Sequence, residues 1–167
     1  KANDTIMVQM GFFEEYKFDK VFEPFRTQSD IYEEIQPLIM SFIDGFNVCF
    51  ITYGGEASGK TYTLLGPTLD ISGSKDGINK HDGIMKRALR DVLCEQSSRR
   101  RDWEYNLTGS VVEIYNDTFS DLLAEKSGIH LPIDGGLDKV QESLKTMDLN
   151  CEGDIESLIR ICKIKRK

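Results

Sequence analysis

The stretch from Gly54 to Thr61, GGEASGKT, limits what this chain can fold into more than any other. It fits the template of a glycine, four residues and then Gly-Lys-Thr, the pattern of a loop that cradles phosphate. Such a loop calls for a strand before it and a helix after it, and the sequence offers both. Asn47 to Tyr53 (NVCFITY) is a nearly continuous apolar run rich in β-branched and aromatic residues, which predicts a strand buried on both faces. Thr61 to Leu65 (TYTLL) can open a helix. Glycines let the backbone curl so that amide N–H groups converge on an anion. The helix start adds unpaired N–H groups and the positive end of a dipole. In that arrangement Lys60 reaches the terminal phosphates as a point charge and the Thr61 hydroxyl holds Mg²⁺.

The rest of the composition narrows the classes. With 167 residues, 40% hydrophobic and 29% charged, the chain can build one globular domain with a core. No apolar run approaches the ~20 residues that span a bilayer, so no membrane partner is expected. A net charge of −7 and a pI near 4.9 argue against nucleic acid as a partner, which calls for a basic face. Cys49, Cys94, Cys151 and Cys162 show neither metal-ligand spacing nor disulfide density, which points to a reducing, cytoplasmic setting.

Along the chain, Thr5 to Met10 and Tyr16 to Phe22 read as strands. Thr27 with Asp30 makes a capping-box start. The helix that follows carries Ile31, Ile35, Leu38, Ile39, Phe42 and Ile43 on one face, is kinked or divided by Pro37, and stops at Gly45. Gly66 to Asp82 is a long polar loop, and Gly83 to Cys94 resumes a helix. Glu95 to Asp102 reads as a charged turn and Trp103 to Tyr115 as a long strand. Asn116-Asp117 turns the chain into a short helical or extended piece, Phe119 to Leu123. Short strands are expected within Ile129 to Asp148. A final helix over Asp154 to Ile164 has Ile155, Leu158, Ile159 and Cys162 on one side. His81 and His130 lack a base, nucleophile or metal partner in the sequence and read as structural; Glu113 reads as a sheet-surface residue.

These motifs, in this order, resemble the kinesin motor domain, most closely its C-terminal-motor, minus-end-directed branch. Phe18-Asp19-Lys20-Val21-Phe22 resembles the family's FDxVF strand, and Asp44-Gly45-Phe46-Asn47-Val48 its DGYNV. Tyr53-Gly54 with Ser58-Gly59-Lys60-Thr61-Tyr62-Thr63 is similar to AYGQTGSGKTYTM. Gly83-Ile84-Met85 resembles the start of GIIPR, and Trp103-Glu104-Tyr105 a segment typical of the C-terminal motors. Val112 to Asp117 with Asp121-Leu122-Leu123 resembles FLEIYNExxxDLL. The resemblance spans Phe18 to about Lys167. It implies an α/β fold of the P-loop NTPase type, a mixed β-sheet flanked by helices. It also implies an ATP-driven microtubule motor of the cytoskeleton, with ATP or ADP and Mg²⁺ as ligands and tubulin as partner. A coiled-coil dimer partner would lie outside this chain. The implied nucleotide contacts are Gly54, Gly55, Glu56, Ala57, Ser58, Gly59, Lys60, Thr61 and Tyr62, with Thr61 on the metal and Tyr62 against the adenine.

Three departures accompany the resemblance. Gly55, Glu56 and Ala57 stand where the family usually has Gln, Thr and Gly or Ser. Of these, Glu56 puts a carboxylate beside a polyphosphate site, and two like charges ~4 Å apart repel by about 4 kcal/mol at an effective dielectric near 20. The family's two switch segments, NxxSSRSH and DLAGSE, which supply the second metal-side carboxylate and place the attacking water, do not occur in residues 1–167. Asp70 to Ser74 (DISGS) and Ser97-Ser98-Arg99 imitate them but sit at the wrong places in the order. The Arg-x-Arg-Pro adenine clamp of the family's first strand is missing as well. The expectation is therefore the N-terminal portion of a kinesin-like motor domain that binds nucleotide, holds no catalytic residue of its own, and hydrolyses ATP only as part of the complete protein. The competing expectation is a degenerate, non-hydrolysing kinesin-like module kept for protein association in a microtubule assembly.

Overall fold

A tight turn at Gly11 starts the architecture. The computed structural model of the protein describes residues 4–9, 11–67, 79–116, 118–124 and 142–165. Strands β1 (Thr5–Gln9) and β2 (Phe13–Lys17) pair antiparallel, Gln9 opposite Phe13 and Thr5 opposite Lys17. The second strand thus lies earlier than the alternation of Tyr16 to Phe22 predicts. The Gly11 turn fixes the register, and only the Phe18 N–H, bonded to the Asp4 carbonyl at 2.7 Å, extends it further.

Helix α1 (Gln28–Ile43) begins where the capping box places it. The Thr27 hydroxyl accepts from the Asp30 N–H, and the Asp30 carboxylate accepts from the Thr27 N–H at 2.6 Å. Pro37 does not divide it: the helix runs through the proline as one element. Its inward face is the expected one in part: Ile39 is buried and Ile31, Ile35 and Ile43 are half-buried, whereas Leu38 and Phe42 are exposed and Tyr32 is buried as well. The reason for the difference is polar. The Tyr32 hydroxyl donates to the Asp91 carboxylate at 2.7 Å, and Gln36 donates to the same oxygen at 2.8 Å. These bonds rotate α1 towards α3 (Ile84–Ser98), against which it packs. Burial, followed by the bond to Asp91, pushes the Tyr32 hydroxyl well above its usual pKa.

Short helix α2 (Lys60–Leu65) packs on α3 from the other direction. Strands β3 (Thr108–Gly109), β4 (Val112–Tyr115), β5 (Thr118–Asp121) and β6 (Met147–Asp148) follow. β4 and β5 form a hairpin across Asn116, which settles the Phe119 segment as extended; β3 pairs antiparallel with β6. The long strand expected from Trp103 is therefore two short pieces in two ladders, and Trp103 is exposed. Helix α4 (Glu152–Ile164) closes the core. Ile155 is wholly buried and Leu158 and Ile159 nearly so, as the spacing of that helix predicts, and Leu149 just before the helix joins them. Gly109 lets the β3–β6 ribbon approach: a Cβ there would lie 3.1 Å from Leu158 and 3.2 Å from Leu149. Each such apolar side chain contributes about 1.5–3 kcal/mol by leaving water. Lys86 pairs with Asp82 and Glu156, and Arg90 with Asp82 and Glu152, tying α3 to α4.

The largest difference from expectation is the run from Asn47 to Tyr53. It leads into the loop as predicted, but among the described residues no strand pairs with it. Ile51 is 83% and Tyr53 98% exposed, and Cys49 is exposed as well. Burial on both faces needs a neighbouring strand on each side, and the described ladders are three separate two-stranded antiparallel pairs. The composition of the run states an appetite for burial that the described residues do not meet. The Ser97-Ser98-Arg99 lookalike is the end of α3 and its cap, since the helix runs four residues past Cys94. The Asp70 to Ser74 lookalike, His130 and most of Ile129 to Asp148 lie outside the described residues.

Candidate functional site

The glycine loop curls as the template requires. Gly54 has φ +154°, and a Cβ there would lie 2.6 Å from the Ser58 hydroxyl oxygen, so only glycine lets Ser58 fold back. The Ser58 N–H bonds to the Gly55 carbonyl at 3.3 Å. Gly59, at φ +90°, turns the chain from the loop into α2, whose first bond runs from the Thr63 N–H to the Gly59 carbonyl at 2.9 Å. Ala57 holds φ +56°, a left-handed conformation that costs a residue with a Cβ about 1 kcal/mol. That cost falls where the kinesin pattern usually has Gly or Ser.

Lys60 occupies the mouth of the loop. Its ammonium donates to the Gly54 carbonyl at 2.8 Å and to the Gly55 carbonyl, and among the described residues it pairs with no carboxylate. Lys60 and Gly59 are half-buried, as is Thr61. Glu56 faces solvent and makes no ion pair among the described residues. The carboxylate therefore does not occupy the anion seat and does not neutralise Lys60. An exposed carboxylate at this position acts through screened solvent rather than at contact distance, so its penalty on a phosphate is small.

Behind the loop, Tyr62 is held at two points. Gln28, buried at the first turn of α1, donates its side-chain amide to the Tyr62 carbonyl at 2.6 Å. The Tyr62 hydroxyl shares a hydrogen bond with His81 Nδ1 at 3.1 Å, while the residue stays 44% exposed. His81 arrives there because the returning end of the Gly66 to Asp82 segment is clamped. The Asn79 N–H bonds to the Asp82 carboxylate at 2.9 Å and the His81 N–H to the Asn79 side chain at 3.1 Å. Arg87 on α3 donates to the Asp82 carbonyl at 2.9 Å and to the Asn79 carbonyl at 3.3 Å. The structure curls Gly54 to Lys60 and places beside Tyr62 a further residue, His81, which sequence reasoning assigned to structure alone. No spacing rule links a histidine to a tyrosine nineteen residues earlier; the contact exists only because the intervening segment returns.

Glu113 is half-buried on β4, opposite Ser120, as a sheet residue should be. Among the described residues no cluster of three or more His, Cys, Asp and Glu could hold a metal ion.

A curled Gly-Lys-Thr loop is shared by many proteins; the order of motifs around it is not. A sequence model of the kinesin motor domain matches residues 4–167. The chain belongs to the kinesin motor-domain family. The kinesin-like protein KIN-14K of Oryza sativa is 44% identical over 110 residues, covering 65% of this chain and 10% of that protein. Among solved structures, the motor domain of the Kar3-like kinesin from Ashbya gossypii superposes with a TM-score of 0.67 at 29% identity, covering 95% of this chain and 47% of that one. The Drosophila kinesin NOD, solved with manganese and ADP, gives a TM-score of 0.82 at 22% identity over 100% of this chain and 54% of that one. This kinesin chain therefore spans about half the length of those solved motor domains and about a tenth of its plant relative. The fold class is that of a partial α/β kinesin motor domain, and the KIN-14 and Kar3-like relatives agree with the C-terminal-motor branch. Among the described residues no helix is long and apolar enough to cross a membrane.

Proposed function

We propose that residues 54–62 form the phosphate-binding part of a nucleotide site in a kinesin motor, holding ATP or ADP with Mg²⁺. The observation that carries this is the Lys60 ammonium lying across the Gly54 and Gly55 carbonyls in a loop that is already curled. A cation held only by two carbonyls can exchange them for phosphate oxygens, which are stronger acceptors because they are charged. Thr61 would place its hydroxyl on Mg²⁺, and the ion would neutralise the phosphate charge. Tyr62, exposed just behind Thr61, would lie against the base. The Drosophila relative, solved with manganese and ADP and docked with bovine tubulin into a map of its microtubule complex, supports nucleotide and microtubules as ligands of the complete protein.

This chain's share of the work is binding and orientation. In the kinesin family, water activation and the second metal-side carboxylate come from the switch segments, whose patterns do not occur in residues 1–167. The exposure of Glu56 weakens one of the two grounds for a degenerate, non-hydrolysing module; the other, that the switch patterns do not occur in residues 1–167, stands. The test is a Mg²⁺-ATP titration of the chain and of Lys60→Ala. A charged hydrogen-bond donor contributes roughly 1.5–3 kcal/mol, so Lys60→Ala weakens binding about 10- to 100-fold. Absence of binding to the unaltered chain at millimolar nucleotide would defeat the proposal.

A further inference from the structure

We infer that His81 is a positioning residue for the nucleobase end of the site, acting by holding the Tyr62 ring in place. This rests on the nucleotide-binding reading above and extends it to a residue outside the glycine loop. Three observations carry it. First, the Tyr62 hydroxyl meets His81 Nδ1 at 3.1 Å, a side-chain contact between residues nineteen apart in sequence. Second, Tyr62 is also fixed at its backbone, where Gln28 donates to its carbonyl at 2.6 Å. A ring held at both the main chain and the tip has little rotamer freedom left to lose, and that lowers the entropic cost of stacking a planar ligand on it. Third, His81 itself is not on a free loop end. Its own N–H bonds to Asn79, and Arg87 grips the Asn79 and Asp82 carbonyls on either side of it. Helix α3 therefore sets the position of His81, His81 sets the Tyr62 ring, and Tyr62 adjoins Thr61 and the phosphate loop.

The ligand class this platform fits is an aromatic heterocycle joined to a polyphosphate. Tyr62 is 44% exposed, so part of its surface remains accessible to such a ligand. His81 touches neither the base nor the phosphates; its effect passes through Tyr62 alone. It should thus alter affinity for a nucleoside triphosphate and leave affinity for a bare polyphosphate unchanged.

The experiment compares Mg²⁺-ATP with inorganic tripolyphosphate, titrated against the full chain by calorimetry. The variants are His81→Ala, His81→Asn, Tyr62→Phe and the double variant Tyr62→Phe with His81→Ala. Asn places a hydrogen-bonding atom near the position of Nδ1, so it serves as the conservative replacement. The inference expects His81→Ala to weaken ATP about 3- to 10-fold, the worth of one hydrogen bond, with tripolyphosphate unchanged within twofold. His81→Asn recovers most of the loss, and in the Tyr62→Phe background His81→Ala has no further effect. An equal loss for ATP and tripolyphosphate overturns the inference, because His81 would then merely support the loop. ATP affinity unchanged by His81→Ala also overturns it and leaves the phosphate-loop reading intact. An unaltered chain that binds neither probe overturns the phosphate-loop reading and this inference with it.

Discussion

Replacing Gly83 by alanine tests the packing that brings His81 to Tyr62. Gly83 has φ −74° and ψ 175°, values that any residue adopts, so its backbone conformation does not require glycine. What requires it is space. A Cβ at Gly83 would sit 2.5 Å from the Gly66 nitrogen and 2.5 Å from the Leu64 carbonyl oxygen. Ordinary contact begins near 3.4 Å, so the two backbones must part by roughly 1 Å. Both obstructing atoms are main chain and cannot rotate away as a side-chain tip would. The Gly66 N–H also caps α2 through the Tyr62 carbonyl at 2.9 Å, and parting the segments strains that bond. Overpacking costs typically 1–3 kcal/mol, and an obstruction made of backbone belongs at the upper end, about 3 kcal/mol. For a chain of this size that lowers Tm by about 6–12 °C. The control is Gly153→Ala within α4, where the new Cβ meets only the Cys151 sulfur at 3.6 Å. There alanine stabilises by up to about 1 kcal/mol because it restricts the unfolded chain. Thermal and urea denaturation followed by circular dichroism report both. Gly83→Ala within about 0.5 kcal/mol of the unaltered chain, or the two variants shifting in the same direction, would refute the reasoning.

Three further outcomes are expected. Ala57→Gly relieves the left-handed strain in the loop and raises stability by up to about 1 kcal/mol in the same denaturation assay; a loss of stability contradicts the assigned backbone conformation. Asp30 and Asp154 are held below the ordinary carboxylate value of 3.8, Asp30 mainly by the Thr27 N–H and Asp154 mainly by the Asn150 N–H. Because the folded values are lowered, the stabilisation is complete at neutral pH and is lost as the pH falls below about 3.8 through the folded values. The paired variant Asp30→Asn, Asp154→Asn is accordingly less stable than the unaltered chain at pH 7, and the gap narrows towards pH 2. Cys49, exposed in the run before the loop, reacts with a maleimide in the native chain nearly as fast as after denaturation, as peptide mapping can show; full protection would mean that the run is covered.

How much of this was legible from residues alone varied with distance along the chain. The cap at Thr27 and the inward side of α4 were readable because each depends on residues within one helical turn, where covalent spacing fixes the geometry. The loop was readable for a similar reason: Gly54, Gly59 and Lys60 close a local circuit, and Lys60 reaches back only as far as Gly54. Kinesin membership followed from the order of such local motifs. On α1 the inward isoleucines were readable but the burial of Tyr32 was not, because Tyr32 and Gln36 bond to Asp91, more than fifty residues away.

The sequence by itself thus determined the cap at Thr27, the curl of the glycine loop, the inward side of the last helix and the family. Only the tertiary structure decided that Cys49, Ile51 and Tyr53 are exposed while Val48 and Phe50, alternating with them, are half-buried, that Gly83 presses on Gly66, and that the Tyr62 hydroxyl meets His81. The physical reason is that hydrophobicity and side-chain chemistry specify what a segment can bind, whereas a partner distant in sequence must be delivered by the fold. An apolar run records a preference for burial, and a histidine records a capacity for hydrogen bonding. Whether either is satisfied depends on which other part of the chain arrives beside it.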